Sequence, residues 1–380
     1  MKSRKTTIVV VCLVLTLIAF GMTMIYSASS YSASIKYGNS YYFVIKQLIG
    51  FVLGIVFFMF CYNFDYHKYS KIKYWVLCIS IVLLVLIFVP GIGITSNGAR
   101  RWIGVGGFTI QSSEIAKFGF VIFASCYMAA NYKKMPTFKG ALPVLVGGGV
   151  ICLLILLEPN LSVTLCVGMV MLSMLFVGGM RIKHFLLLLI PALALVPILI
   201  IIEPYRLQRL TAFLNPWANP KEEGFQLIQS LYSLGSGGMF GVGLFNSRQK
   251  YLFLPFAESD FIFSIVGEEL GFVGCVILCV VYLALILYGI KIAYRAQDRL
   301  GTYLAFGITS VITMQLLINI CVVTGLIPPT GIPLPFISAG GTSLSVFMGA
   351  VGILLNIDRA EQNNLSFNMN IFKSKLKSRV

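Results

Sequence analysis

Residues 254–289 read LPFAESDFIFSIVGEELGFVGCVILCVVYLALILYG. The second half is apolar from Phe272 onward, and the run is long enough to cross a bilayer as a helix. The first half gathers Glu258, Asp260, Glu268 and Glu269, four of the thirteen acids in a chain of 380 residues. Two questions follow. One is what fold such a run belongs to. The other is why scarce carboxylates sit at its mouth, with two of them carried inward.

Runs of the same kind recur along the chain. Hydrophobic residues make up 58% and charged residues 11%, and the mean hydropathy is +0.90. Soluble domains carry about 25% charged residues. Backbone groups in lipid must be satisfied internally, which leaves helices or a closed barrel. The runs are continuous and lack the alternation of a barrel strand. The sequence therefore predicts an all-α polytopic membrane protein with about ten transmembrane helices. Their approximate limits are 7–27, 45–63, 74–92, 112–131, 141–158, 160–178, 184–203, 261–289, 302–326 and 341–357. The first run is too long for a signal sequence and is read as a retained anchor.

Basic residues set the orientation. They precede the first span (Lys2, Arg4, Lys5) and fill alternate connections (Lys68, Lys71, Lys73; Lys133, Lys134, Lys139; Arg181, Lys183; Lys291, Arg295, Arg299). They return in the tail at Lys373, Lys375, Lys377 and Arg379. The positive-inside rule then places both termini in the cytoplasm. It also accounts for most of the net charge of +16, so no nucleic-acid role is needed. Residues 204–260, between spans 7 and 8, become a long extracytoplasmic loop that is expected to fold back onto the helices. Residues 1–359 read as one transmembrane domain, and 360–380 as a short basic cytoplasmic tail, a surface or partner segment or else disordered. No internal repeat supports an inverted-repeat transporter.

All nine cysteines lie in or at the edge of apolar runs, with no C-x-x-C, and read as small buried hydrophobes. His67 and His184 lie in basic loops, so no metal site and no cofactor is expected from them. A divalent cation, magnesium or manganese, bridging Asp260 or Glu258 to a pyrophosphate stays open, although no cage of ligands is visible.

An ionisable group at mid-membrane costs roughly 2.5–3.5 kcal/mol on insertion scales, so each one marks a site or an internal pair. In GARRWIGVGGFTIQSSEIAKFG (98–119), Glu114 and Lys117 share a helix face and can neutralise each other. The alternative is a cationic site with Arg100, Arg101 and Trp102 just outside it, a set that suits phosphate. Trp102 also fits an aromatic belt. In LLEPNLSVT (156–164), Glu158 and Pro159 predict a tight outside turn with a wetted carboxylate. In the opening stretch, Ser259 or Asp260 could cap the eighth span. Alternatively Asp260, at the outer surface, serves as general base on a sugar hydroxyl of a lipid-linked substrate. Ser264 lies one turn on, and Glu268 and Glu269 either extend the site or anchor neighbouring helices. GSGGMFGVG (235–243) lacks the G-K-[ST] of a phosphate loop and predicts close backbone packing instead.

RLTAFLNPWANP, GFQLIQSLYSLGSGGMFGVGLFNSRQK, LPFAESDFIFSIVGEELGFVG and PPTGIPLPFISAGGTSL, with GARRWI and SEIAK, resemble the SEDS family of shape, elongation, division and sporulation proteins over about residues 10–358. NPW, NSRQK and GEELG look more like the division and sporulation branch (FtsW- and SpoVE-like) than the elongation branch (RodA-like). The resemblance implies a peptidoglycan glycosyltransferase that joins lipid II into glycan strands at the outer face of the bacterial plasma membrane, at the division septum or in sporulation. It implies a class B penicillin-binding protein and other divisome membrane proteins as partners. It implies Asp260, in the DFIF motif, as the essential acid, with Arg101, Trp102, Glu114, Lys117 and Ser338 as substrate-binding residues. The chain departs from the family pattern at Pro255-Phe256, Ser112, Asn160 and Ala339, and keeps Asp260 in register. Two other functions stay open on the residues: a lipid II flippase using Glu114, Lys117 and Glu268, and a scaffold without activity.

Overall fold

The computed structural model describes residues 2–96, 99–105, 108–202, 204–220, 222 and 224–377. The chain is a helical membrane protein. Among the described residues, nine helices are long and apolar enough to cross a membrane, and Leu161–Val177 is a shorter apolar helix. In chain order the helices are α1 (Lys2–Tyr37), α2 (Tyr42–Asn63), α3 (Tyr69–Leu86), α4 (Ser112–Ala130), α5 (Phe138–Leu157), α6 (Leu161–Val177), α7 (Ile182–Ile202), α8 (Pro204–Leu214), α9 (Phe225–Gly237), α10 (Ile262–Arg295), α11 (Arg299–Val323) and α12 (Gly341–Lys377). The end of the basic tail, with Arg379, lies outside the described residues.

Two differences from the sequence reading concern the first and third connections. First, α1 runs ten residues past its apolar stretch. At 1.5 Å per residue its 36 residues span about 54 Å, far beyond a hydrocarbon core of about 30 Å. The projecting end is held by Tyr31, edge-on to Tyr251, and the turn just before it by Tyr26, edge-on to Phe245. Second, the α3–α4 connection folds into an antiparallel three-stranded meander of β1 (Gly93–Ser96), β2 (Ala99–Val105) and β3 (Phe108–Ile110). Ile103 pairs with Gly93 on one side and Ile110 on the other.

α4, α11 and α12 are the most enclosed helices. α2 and α12 meet through small residues: a Cβ on Gly50 would lie 2.4 Å from the Gly341 Cα, and Ser345 Oγ donates to the Gly50 carbonyl at 2.7 Å. Small side chains let membrane helices approach closely.

The long loop carries α8 and α9, and α9 packs along α10. Ser230 Oγ lies 2.8 Å from Ser264 Oγ and donates to the Val323 carbonyl at 2.7 Å. The glycine-rich segment then meets a break in α10 at Gly271, whose φ is 68°. The break frees helix carbonyls and amides, and four backbone bonds take them up. Val242 N–H donates to Glu268 O at 2.9 Å and Gly243 N–H to Glu269 O at 3.0 Å; Phe272 N–H donates to Gly238 O at 2.9 Å and Val273 N–H to Met239 O at 3.1 Å. A Cβ on Gly241 would sit 2.1 Å from the Glu269 carbonyl oxygen. Glycine is required there because the two backbones touch.

Candidate active site

Asp260 lies just before α10, and it does not cap that helix. The cap position is Phe261, with no side-chain cap bond, so the carboxylate is not engaged by the free helix amides. The backbone around it is clamped instead. Ala339 N–H donates to the Glu258 carbonyl at 2.9 Å, Ser338 Oγ to that of Ser259, and Asn319 Nδ2 to that of Asp260 at 2.8 Å. Three consecutive carbonyls are thereby fixed from behind.

The clamp is itself held. Asn319 Nδ2 also donates to Ile332 O at 2.8 Å, Gln315 Nε2 to Pro333 O at 2.9 Å, and the buried Tyr282 hydroxyl to Pro335 O. Gln47 on α2 donates to Ser338 O at 3.2 Å and accepts from Gly340 N–H at 2.9 Å. The 328–340 loop is thus a rigid support for Asp260. Gly331 faces the acid directly, since a Cβ there would lie 3.2 Å from Asp260 Oδ2.

Asp260 is half-buried. Desolvation pushes its pKa up to about 6; the cations of Arg101 and then Arg209 pull it back, Glu258 pushes it up, and the Ser259 hydroxyl steadies the anion. Most of the group is ionised at neutral pH, and it titrates close to it. Burial also raises Glu258, with Lys36 opposing.

Arg101 comes from β2 and reaches the α5–α6 turn. Its Nε donates to the Glu158 carbonyl at 3.3 Å and one Nη to that of Pro159. This corrects the reading of Glu158 as wetted. The turn forms, but its carboxyl is fully buried with neither oxygen hydrogen-bonded, and Arg101 holds the backbone of the turn. Desolvation pushes Glu158 up to about 8, against the pull of Arg101. Asn160 accepts from Val163 N–H at 3.4 Å and caps α6.

The other expected site residues fall in different places. Trp102 is half-buried on β2, opposite Ile94. Ser338 is buried, and its hydroxyl is occupied by protein, donating to Ser259 O and accepting from Leu334 N–H at 2.7 Å. Glu114 and Lys117 form a buried ion pair, 2.7 Å from Nζ to Oε1. Lys117 also donates to Gln315 Oε1 at 2.5 Å, and Ser343 Oγ to Glu114 Oε2 at 3.0 Å. The pair ties α4 to α11 and α12, and through Gln315 it reaches the support loop. The structure therefore sets Arg101 where its charge acts on Asp260, and, among the described residues, its hydrogen bonds link Glu114 and Lys117 to the support loop only through Gln315. Ser264, expected to face with Asp260, bonds to α9 instead.

The inner acids are anchors. Glu268 accepts from Arg248 N–H at 2.9 Å, from Ser233 Oγ at 3.3 Å and from Ser247 Oγ. Glu269 accepts from Ser27 Oγ at 2.5 Å and Ser247 N–H at 3.2 Å, and Lys250 Nζ lies 3.6 Å away. Together they tie the NSRQK segment to α10 and α1.

Reading the charges missed the uncharged amides Gln47, Gln315 and Asn319, and it passed over Arg209 in the long loop. Gln315 and Asn319 are four apart on one apolar span, and uncharged amides at that spacing were the available signal. Among the described residues, no three of His, Cys, Asp and Glu group to hold a metal ion.

Residues 7–363 match the family model of cell cycle proteins that covers FtsW, RodA and SpoVE. The chain belongs to the FtsW/RodA/SpoVE family. Within that family it is 42% identical to stage V sporulation protein E of Bacillus subtilis over 94% of this chain and 99% of that protein. It is 39% identical to a probable peptidoglycan glycosyltransferase FtsW of Geobacter metallireducens over 92% of this chain and 94% of that protein. It also superposes on a chain of a peptidoglycan synthase complex described as coordinating polymerization and crosslinking, with a TM-score of 0.76 at 26% identity, covering 93% of this chain and 97% of that one. Like other members of the FtsW/RodA/SpoVE family, it is a multi-pass membrane protein.

Proposed function

We propose that this chain is a peptidoglycan glycosyltransferase that polymerises lipid II at the outer face of the plasma membrane, with Asp260 as general base. The observation that carries the reading is the way Asp260 is held: backbone clamped, carboxyl off the helix cap, and two arginines close enough to act on its charge. Its relatives' names and the near-complete coverage by the family model support it.

Donor and acceptor lipids enter laterally from the outer leaflet. Asp260 takes the proton from the acceptor GlcNAc 4-hydroxyl. That oxygen bonds to the anomeric carbon of the donor MurNAc with inversion. The bond from that carbon to phosphate breaks, and the lipid pyrophosphate leaves with the electron pair. Arg101 neutralises the leaving charge, and Lys117, with Glu114, supports the floor of the site. Trp102 borders the donor. Ser338 acts through the backbone of Ser259. Holding two lipids in one groove supplies much of the rate. Residues 1–359 carry this chemistry, and the tail of 360–380 lies at the cytoplasmic surface. The chain works at the septum or in sporulation beside a class B penicillin-binding protein and other divisome membrane proteins.

The test is Asp260→Asn in purified protein given lipid II. We expect a loss of roughly 10²–10⁴ in polymerisation rate, with lipid II binding kept. Full polymer yield would remove Asp260 from this role.

A further inference from the structure

Two amides on α11, Gln315 and Asn319, are 0% and 1% exposed. They lie four residues apart, so they share a helix face and are separated by about 6 Å along its axis. A buried amide is costly unless its polar atoms find partners. These two spend their N–H groups on consecutive carbonyls of the support loop. Gln315 Nε2 donates to Pro333 O at 2.9 Å. Asn319 Nδ2 donates to Ile332 O and to Asp260 O, each at 2.8 Å. One face of one helix thereby sets the loop and the backbone of the acid in a common register.

Gln315 has a further partner, which fixes the way its amide points. Its Oε1 accepts from Lys117 Nζ at 2.5 Å. An ammonium only donates and a carbonyl only accepts. An amide between the two can therefore sit one way round, with its oxygen toward Lys117 and its nitrogen toward Pro333. Turned over, it would set its N–H groups against the ammonium and its oxygen against the carbonyl. Loss of Lys117 removes the group that selects this orientation.

Lys117 itself is enclosed. Its side chain is 2% exposed, with Nζ 2.7 Å from Glu114 Oε1 and 5.7 Å from the centre of the Phe347 ring. Glu114 is fully buried, and its other oxygen accepts from Ser343 Oγ at 3.0 Å. An ammonium held by a carboxylate, an amide and a ring offers almost no surface to a bound phosphate. Its effect on the site has to pass through its neighbours.

We infer that Gln315 is a positioning residue for Asp260, oriented by Lys117, and that Lys117 serves the reaction through this amide without touching substrate. The path runs from Lys117 through Gln315 to Pro333, along the backbone to Ile332, and through Asn319 to Asp260. The inference rests on the proposed polymerase reading, and it replaces the substrate contact that the family resemblance implies for Lys117.

The test is a double-mutant cycle on the purified full-length protein, with lipid II as substrate and kcat and KM read separately for Lys117→Met, Gln315→Met and the double variant. Each single variant should lower kcat about tenfold and keep KM within about twofold, as expected when a reacting group is misplaced and binding is intact. The double variant should fall no further than either single one, because both remove the same link. Additive losses, about a hundredfold in the double variant, overturn the inference. So does a raised KM in Lys117→Met, the mark of a direct contact with lipid II. Gln315→Met with wild-type kcat per folded molecule, whatever its unfolding temperature, overturns it too, since the amide would then be structural. Lys117→Met leaves the Glu114 carboxylate buried without its cation, so the cycle is repeated on a Glu114→Gln background, where additive losses count against the inference in the same way. Failure of the polymerase reading shows up separately, as wild-type protein that makes no polymer from lipid II.

Discussion

The two acid pairs in residues 254–271 are held in opposite ways. Glu268 and Glu269 present their carboxylates to protein donors, the amides and hydroxyls of the NSRQK segment and α1. Glu258 and Asp260 have their carbonyls tied down, while the Asp260 carboxyl faces the charges of two arginines. All four side chains are carboxylic acids. The carbonyls of both pairs are bonded, so what separates an anchor from a reactive group is whether the protein also saturates the carboxyl.

Substitutions in each pair test that contrast. Against the large loss of rate expected for Asp260→Asn, Glu268→Gln should act on stability. A buried anion accepting several bonds is replaced by an amide that clashes with some of its donors, at a cost of about 1.5–3 kcal/mol. Thermal unfolding should shift while the folded fraction still polymerises lipid II. A Glu268→Gln protein with normal stability and no activity would erase the distinction.

A smaller effect is expected from Gly331→Ala. The added Cβ meets Asp260 Oδ2 at 3.2 Å, so the carboxylate must shift by a few tenths of an ångström. Sub-ångström misplacement of a reacting group lowers rate more than stability. The turnover number should fall severalfold with unfolding unchanged; equal turnover would place the reacting atom elsewhere.

Glu158 is a third kind of acid, buried with no hydrogen bond to either oxygen. Its folded pKa is raised from 4.5 to about 8. The folded state therefore holds more protons than the unfolded one across that window, and wild-type stability declines as pH rises through it. Glu158→Gln lacks that decline. The stability of wild type relative to Glu158→Gln should fall between pH 5 and 8. Parallel melting curves for the two proteins would show that Glu158 ionises normally.

How much of this was legible in the sequence depended on range. Apolar runs placed the helices because lipid imposes a local rule on each segment. The projecting end of α1 was not legible, because its polar, tyrosine-rich residues are stabilised by rings more than 200 positions away. The meander at 93–110 was missed because its strands are short and hidden between two apolar spans. Asp260 could be flagged as a charge at a helix mouth. The environment of Glu158 could not, since it is set by an arginine 57 positions away. Gln315 and Asn319 carry no charge, and only their shared face on an apolar helix marked them.

The central claim is that Asp260 is a base poised near neutrality by its neighbours, and the pH dependence of polymerisation tests it most directly. The wild-type turnover number should fall on the acid side with an apparent pKa near 6. In Glu258→Gln that limb should move to lower pH, because a neighbour that raises Asp260 has been removed. A profile flat from pH 5 to 8, or a limb that stays in place in Glu258→Gln, would contradict the account.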